Sequence, residues 1–243
     1  MPRDEGTPGT DRTRWRHRLH VSGITPGVQV VSGDEAHHAV RVKRLRPGEL
    51  VELFDGRGTV LAGAVADVGG SRQHPEITIE PAGEPEFVAS HTPRVEIWTP
   101  APKGDRLERM LDQLSQAGVA GWRLLGAERA EDNMPKKPDR LRRVIIESAK
   151  QSGRAHLLEI GDPIALDAAL ETAGVVVASQ HAGPGPRFGP GEPRTLLVGP
   201  EGGWSGSELR LFEARAVPCL GLGPHVMRLE TAALVGAARL MEA

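Results

Sequence analysis

The chain has 243 residues, a formal net charge of −2 and 39% hydrophobic residues. This length suits one large domain or two modest ones with a buried core, so no disulfide or metal ion is needed for stability. The single cysteine excludes an internal disulfide, the polar N-terminus MPRDEGTPGT is unlike a secretory signal, and no apolar run is long enough to span a membrane. We therefore expect a cytoplasmic protein.

The first ninety residues are predicted to be mostly β. A capping box of Ser32 and Glu35 predicts a short helix through Val40. ELVELF and TVLAGAVADV alternate like the two strands of a hairpin around an Asp-Gly turn, and EITIE alternates as a further strand. Short strands joined by glycine turns indicate a small barrel, which we assign to residues 1–90.

Strands and helices alternate through residues 91–243. Predicted strands are VEIWTP, WRLLGA, VVVAS, TLLVG and VPCLGLG. Predicted helices begin at Asp105, at Pro138, at the capping box of Ser205 and Glu208, and at Glu230. Such alternation predicts a parallel sheet with helices on its faces.

Two glycine-rich loops follow buried strands in this second part. GPEGGWS begins at Gly199, directly after TLLV, and GLGPHVMRLETA begins at Gly221, directly after VPCL. Open parallel sheets bind ligands beyond the carboxyl ends of their strands, which is where both loops belong. Neither loop has the Lys-Ser/Thr of a phosphate loop, and Val226 stands where a dinucleotide fingerprint needs its third glycine. The pattern therefore disfavours a Rossmann oxidoreductase.

The pair LLVGPEGGWSGSEL and LGPHVMRLETAAL resembles the SPOUT class of RNA methyltransferases. It is most similar to the RsmE family, which methylates N3 of a uridine in small-subunit (16S) ribosomal RNA. DEAHHAVRVKRLRPGELVELFDGRG is similar to that family's PUA-like barrel signature, and KGDRLERM and ESAKQSGR match its central segments. The resemblance covers about residues 17–243.

This resemblance implies an α/β fold in which a small PUA-like β-barrel precedes a trefoil-knotted parallel-sheet domain. It also implies S-adenosyl-L-methionine as the methyl donor, ribosomal RNA or the small subunit as partner, and a homodimer. The chain departs from the family at Gln113–Gly118, at Ala130 and at Leu229. Two alternatives therefore stay open: a non-catalytic RNA-binding paralogue, and a methyltransferase with another target nucleotide.

The two loops supply the candidate cofactor residues. An apolar slot for adenine is predicted from Val198, Leu220, Leu222 and Met227, with ordinary core packing as the alternative for each. Backbone access to the ligand is predicted at Gly199, Gly202, Gly203 and Gly223.

Uracil N3 carries a proton and becomes nucleophilic only when that proton leaves, so the site needs a base or a cation that stabilises the anion. Arg228, at the end of the second loop, is the candidate cation, with a phosphate clamp or a surface arginine as alternatives. Glu201 is the candidate for binding the donor's amino group or acting as base, with helix capping as its alternative.

A basic stretch points to RNA contact in the first part. Eight Lys/Arg and two acids lie between Arg12 and Arg46, and arginines that contact phosphate position RNA. The RNA-binding candidates are Arg16, Arg18, Arg44 and Arg46. A disordered basic tail is the alternative interpretation of residues 1–16. The histidines show no metal-binding spacing, so no metal is expected, and Cys219 is expected to be buried packing.

Overall fold

The computed structural model describes residues 17–130, 138–180 and 182–242. They divide into two compact units. The first unit holds the described residues through Ala89 and also Gly153–His156, and the second holds Ser90–Ser152 and the residues from Leu157 onward. Of the described helices, none combines the length and the apolar character that a membrane span requires.

The first unit is a six-stranded sheet with one helix. Its elements are β1 (His17–His20), β2 (Gln29–Val31), α1 (Gly33–Arg41), β3 (Leu50–Phe54), β4 (Thr59–Gly70), β5 (Pro75–Pro81) and β6 (Glu86–Phe87). The strand order is β1-β3-β4-β5-β2, with β6 paired to β4. The predicted hairpin is confirmed as the antiparallel pair β3–β4. Ser32 is the N-cap of α1, but its side chain makes no capping hydrogen bond, so that capping box was predicted wrongly.

The second unit is a six-stranded parallel sheet flanked by helices, as predicted. Its elements are β7 (Val95–Thr99), α2 (Arg106–Gln116), β8 (Gly121–Gly126), α3 (Pro138–Ser152), β9 (Glu159–Ala165), α4 (Leu166–Ala169), β10 (Val175–Ser179), β11 (Arg194–Leu197), α5 (Gly206–Ala214), β12 (Cys219–Gly221) and α6 (Leu229–Glu242). The strand order is β12-β10-β11-β7-β8-β9. The knot implied by the resemblance stays a prediction.

Helices α2 and α6 cover one face of this sheet through apolar stripes. In α2 apolar residues recur at helical spacing, and Met110, Leu111 and Leu114 have 0% exposure. Helix α6 lies so close to β11 that a Cβ at Gly236 would come within 2.1 Å of Leu196 Cδ2. The two helices share one core with β7 and β11, which holds the loops at the ends of these strands in place.

Both edges of the parallel sheet differ from the sequence prediction. Strand β9 was missed because it is a polar edge strand, mostly exposed, with Pro163 in its middle. Proline lacks the N–H that a central strand must donate, and an edge strand tolerates it. At the opposite edge Cys219 begins β12 and is exposed, so its predicted burial is wrong.

Candidate functional site

The carboxyl ends of β10, β11, β12 and β7 meet at one edge of the parallel sheet, because these strands are neighbours and run in the same direction. The loop Gly199–Ser205 follows β11, and the loop 222–228 follows β12. A third loop, after β10, packs against β12, where the N–H of Gly221 donates to the carbonyl of Gly183 at 2.8 Å. The topology therefore brings the two predicted loops to the same end of the sheet.

The four residues of the predicted adenine slot belong to one apolar cluster. Val198 and Leu220 are buried at 4% and 3% exposure, and Leu222 and Met227 are half-buried and pack against the same cluster. The half-buried pair leaves apolar surface open at the edge of the core. The structure thus shows the core-packing role of all four residues, and the adenine slot stays a prediction.

Glycine is required at defined points of these loops. At Gly199 a Cβ would lie 2.8 Å from the indole ring of Trp204, and Gly223 adopts a φ of +148° beside Met227. Gly202 differs, because a Cβ there would meet nothing nearer than Arg129 Cδ at 3.7 Å. A side chain at Gly202 would therefore occupy the open side of the loop without disturbing the fold.

Arg106 links the two loops, and sequence reasoning missed it. Its Nη2 donates to Glu201 Oε1 in the first loop at 3.0 Å, and its Nη1 lies 3.6 Å from Glu230 Oε2 at the start of α6. Among the described residues Glu230 Oε2 has no hydrogen-bond partner although it is buried. The sequence held one signal for Arg106, which is its position at the start of the helix after β7. Strand β7 lies next to β11, whose loop carries Glu201.

A cleft of about 350 Å³ lies beside the first loop. Arg129 borders it and donates from Nη1 to the carbonyl of Gly202 at 2.9 Å. Other lining residues are Pro100, Lys103, Arg106, Pro200 and Glu201. Three cationic side chains on one cleft favour an anionic group, such as a carboxylate or a phosphate.

The first loop ends in the predicted capping box, which is confirmed. Ser205 Oγ accepts from the N–H of Glu208, and Glu208 Oε2 accepts from the N–H of Ser205 at 2.7 Å. Glu208 Oε1 also accepts from the N–H of Glu128 at 2.8 Å. Hydrogen bonds from the hydroxyls of Ser205 and Ser207 hold the pKa of Glu128 below its ordinary value. These contacts fix the loop against the end of β8.

Arg228 stands at the other end of the site, before α6. Its carbonyl accepts from the N–H of Ala232, and its side chain is exposed. Within the described ranges that side chain makes no hydrogen bond and no ion pair. Glu201 is also exposed, but Arg106 holds one of its oxygens. Of the two predicted catalytic residues, Arg228 thus has a free side chain within the described ranges, and Glu201 has a side chain oriented by an ion pair.

Arg18 corrects the predicted RNA surface. Its guanidinium is buried, with Nε 2.6 Å from Glu52 Oε1, Nη1 donating to the carbonyl of Arg154, and the ring of Phe54 at 4.4 Å. A side chain held this way is part of the core and cannot contact RNA. The alternating arginines of the sequence did not reveal this burial. It depends on the pairing of β1 with β3, which places Arg18 opposite the carboxylate of Glu52.

Arg44 and Arg46 are exposed on either side of the buried Leu45. Their side chains make no hydrogen bond or ion pair in the part of the chain that is described. Arg44 also has a positive φ of 56°, which costs a non-glycine residue about 1 kcal/mol or more. Arg16 lies outside the described residues. No cluster of three metal-ligand side chains occurs among those that are described.

Comparisons with known proteins agree with this arrangement. The model of an RNA methyltransferase domain matches residues 90–241, and the model of an RNA methyltransferase PUA domain matches residues 31–72. A ribosomal RNA small subunit methyltransferase E from Mycobacterium bovis is 30% identical over 227 residues, covering 87% of this chain and 85% of the relative.

Two solved structures have the same fold. A probable rRNA-methyltransferase from Porphyromonas gingivalis is 25% identical with a TM-score of 0.79, covering 93% of this chain and 97% of that one. A ribosomal RNA small subunit methyltransferase E from Neisseria gonorrhoeae, bound to S-adenosyl methionine, is 20% identical with a TM-score of 0.76 and the same two coverages.

Proposed function

The chain belongs to the RNA methyltransferase family, and we propose that it transfers a methyl group from S-adenosylmethionine to N3 of a uridine in small-subunit (16S) ribosomal RNA. The observation that carries this proposal is the joining of the two glycine-rich loops at one end of the parallel sheet by Arg106. Neither loop alone defines a site, whereas together they enclose apolar, cationic and anionic groups.

The residues present fit this donor. Leu222 and Met227 offer half-buried apolar surface for adenine. The buried Oε2 of Glu230 has an unused acceptor position, which suits an ammonium or a ribose hydroxyl. The cationic cleft suits the donor's carboxylate. We therefore assign donor binding to Val198, Gly199, Gly202, Gly203, Leu220, Leu222, Gly223 and Met227, with Glu201 and Glu230 as polar contacts.

When bound, S-adenosylmethionine supplies an electrophilic methyl group on a sulfonium. The chain's own part is to orient the uracil and to favour loss of its N3 proton. Arg228 has a cation with no partner in the described chain, so it is available to stabilise the imide anion. Glu201, oriented by Arg106, has one carboxylate oxygen left to receive the proton or to bind the donor's amino group.

We further propose that Arg44 and Arg46 contact RNA phosphates, and that the protein acts as a cytoplasmic homodimer. Their exposure and lack of partners support the phosphate contacts. Support for the dimer comes from family membership, and light scattering of the purified protein tests it directly.

Calorimetric titration with S-adenosylmethionine, paired with a methylation assay on small-subunit RNA, tests the activity. We expect Gly202→Val to lower donor affinity more than about tenfold, or ~1.4 kcal/mol, because its side chain would point into the open side of the loop. Gly83→Val is the matched control, since a Cβ there meets nothing within 4 Å and Gly83 lies in the first unit. We expect Arg228→Ala to keep donor binding and to lose about 10²–10³-fold in rate.

Rising pH should partly restore the Arg228→Ala rate, because hydroxide removes the N3 proton that the arginine otherwise helps to release. A wild-type chain that binds RNA but no donor would reject the enzyme and favour the RNA-binding paralogue. A methylated product at another nucleotide, identified by mass spectrometry of digested RNA, would reject the N3 assignment alone.

A further inference from the structure

Phe87 is an exposed aromatic residue in the described part of the first unit. It is 73% exposed, whereas Phe54, Trp98, Trp122 and Phe212 lie between 0% and 5%. Trp204 and Phe188 are half-buried against the cores of the second unit. Among the aromatic residues that the structure describes, Phe87 therefore presents the most open ring face.

The ring of Phe87 contacts its neighbours on one side. It meets the imidazole of His156 edge to face, with centroids 6.1 Å apart and planes at 89°. Both rings close over Gly58, where a Cβ would lie 2.7 Å from each of them and where φ is +111°. Only glycine permits this approach.

Hydrogen bonds fix the three chain segments to one another. The N–H of Val88 donates to the carbonyl of Gly58 at 2.8 Å, and the N–H of Gly58 donates to the carbonyl of Ala155 at 3.1 Å. His156 Nε2 lies 2.7 Å from the carbonyl of Val88. The backbone on both sides of Phe87 is therefore already ordered, and a ligand that covers the ring need not order this segment.

A cationic residue adjoins this cluster in the chain. Arg57 pairs with His156 in an isolated β-bridge, and its side chain is exposed. In the described part of the chain that side chain makes no hydrogen bond or ion pair. The nearby carboxylate of Asp55 is occupied by the N–H groups of Arg57 and Thr59. Glu86 precedes Phe87 in β6, and strand alternation directs it to the opposite face.

We propose that Phe87, with His156 and Arg57 beside it, stacks on an unpaired base of the RNA substrate. Proteins read single-stranded RNA by stacking its bases on aromatic rings and by placing guanidinium groups beside them. A second copy of the chain suits the patch less well, because one ring is far smaller than the ~800 Å² that each partner of a stable interface buries. The inference rests on the proposed function, since it takes RNA as the substrate.

Fluorescence anisotropy with a labelled small-subunit RNA transcript tests the stacking. We expect Phe87→Ala to weaken RNA binding about 5- to 100-fold, Phe87→Tyr to stay within about twofold, and Phe87→Leu to fail like alanine because it has no flat face. Val28→Ala is the control because it truncates another exposed apolar residue of the first unit, and it should leave RNA affinity unchanged. RNA carrying 5-iodouridine should crosslink to the peptide that contains Phe87.

Donor titration separates the two proposals. If wild type binds donor and RNA but Phe87→Ala binds RNA equally well, the stacking inference is overturned and the activity stands. If the Phe87→Leu variant bound RNA as tightly as wild type, the stacking inference would also be overturned. Light scattering that shows Phe87→Ala converting a dimer to a monomer would overturn it as well. If wild type binds neither donor nor RNA, the proposed function is rejected, and the stacking inference is rejected with it.

Discussion

The two units of the protein present their exposed charges in different ways. Around the loops of the second unit, Arg106 and Arg129 are held by protein partners. In the first unit the side chains of Arg44, Arg46 and Arg57 make no hydrogen bond or ion pair within the described residues. A small ligand of fixed shape is met by side chains already held in place, whereas an RNA phosphate is met by side chains that become ordered on binding. Of the arginines named here, the held ones border the proposed donor site and the unheld ones are proposed to meet RNA phosphates.

The largest expected effect comes from Arg18, a buried arginine of the first unit that is held by a protein partner. Arg18→Met leaves the carboxylate of Glu52 buried without its cation, so we expect a loss of about 3–5 kcal/mol in the free energy of unfolding. Urea denaturation followed by circular dichroism measures it. The double variant Arg18→Met/Glu52→Leu should regain most of the loss, because an apolar pair replaces the ion pair.

Arg46→Met is the exposed counterpart, with an expected change in stability under about 0.5 kcal/mol. Should Arg18→Met prove equally harmless to stability but weaken RNA binding, Arg18 would return to the RNA surface and the division between the units would fail.

The next effect lies in the second unit. Arg106→Gln removes the cation between Glu201 and Glu230, and we expect donor affinity to fall about 10- to 100-fold, or ~1.4–2.7 kcal/mol. The free energy of unfolding should change by only about 1 kcal/mol, because these ion pairs are partly exposed. Arg140→Gln, which breaks a 2.7 Å pair with Glu108 on α2, is the calorimetric control. Equal donor affinities in both variants would show that Arg106 is not a site residue.

The smallest effect tests whether Arg44 keeps its strained backbone for the sake of RNA. Arg44→Gly relieves the positive φ, so we expect stability to rise by about 0.5–1 kcal/mol while RNA binding weakens. The slope of log affinity against log salt should fall by roughly 0.7–0.9, the value of one lost phosphate contact. Ala216→Gly relieves a similar φ of 47° in the second unit and should leave RNA binding unchanged. An unchanged slope in Arg44→Gly would remove Arg44 from the RNA contacts.

Much of the second unit could be predicted because its signals are local. Capping at Ser205, the stripe of α2 and the glycines after two apolar strands are each readable from neighbouring residues. Arg106 could not be assigned in this way, because its partners Glu201 and Glu230 are 95 and 124 positions away in the chain. Only the order of the strands brings these three residues together.

The first unit was harder to predict because charge does not report burial. Arg18 and Arg44 look alike in the sequence, but Arg18 lies opposite Glu52 in a strand pair and Arg44 lies after helix α1 with a positive φ. Phe87 belongs to a stretch rich in proline and small residues that reads as a linker, and β6 has only two residues. The return of Gly153–His156 to this unit has no local signature at all.

The exposed Cys219 gives the wild-type protein a built-in attachment point. It is the one cysteine of the chain and lies at the start of β12, three residues before the loop 222–228. Partial burial raises the pKa of its thiol, so coupling to a maleimide dye should proceed faster at mildly alkaline pH. A fluorophore placed there would report ligand-induced changes in that loop during rapid mixing, without any engineered substitution.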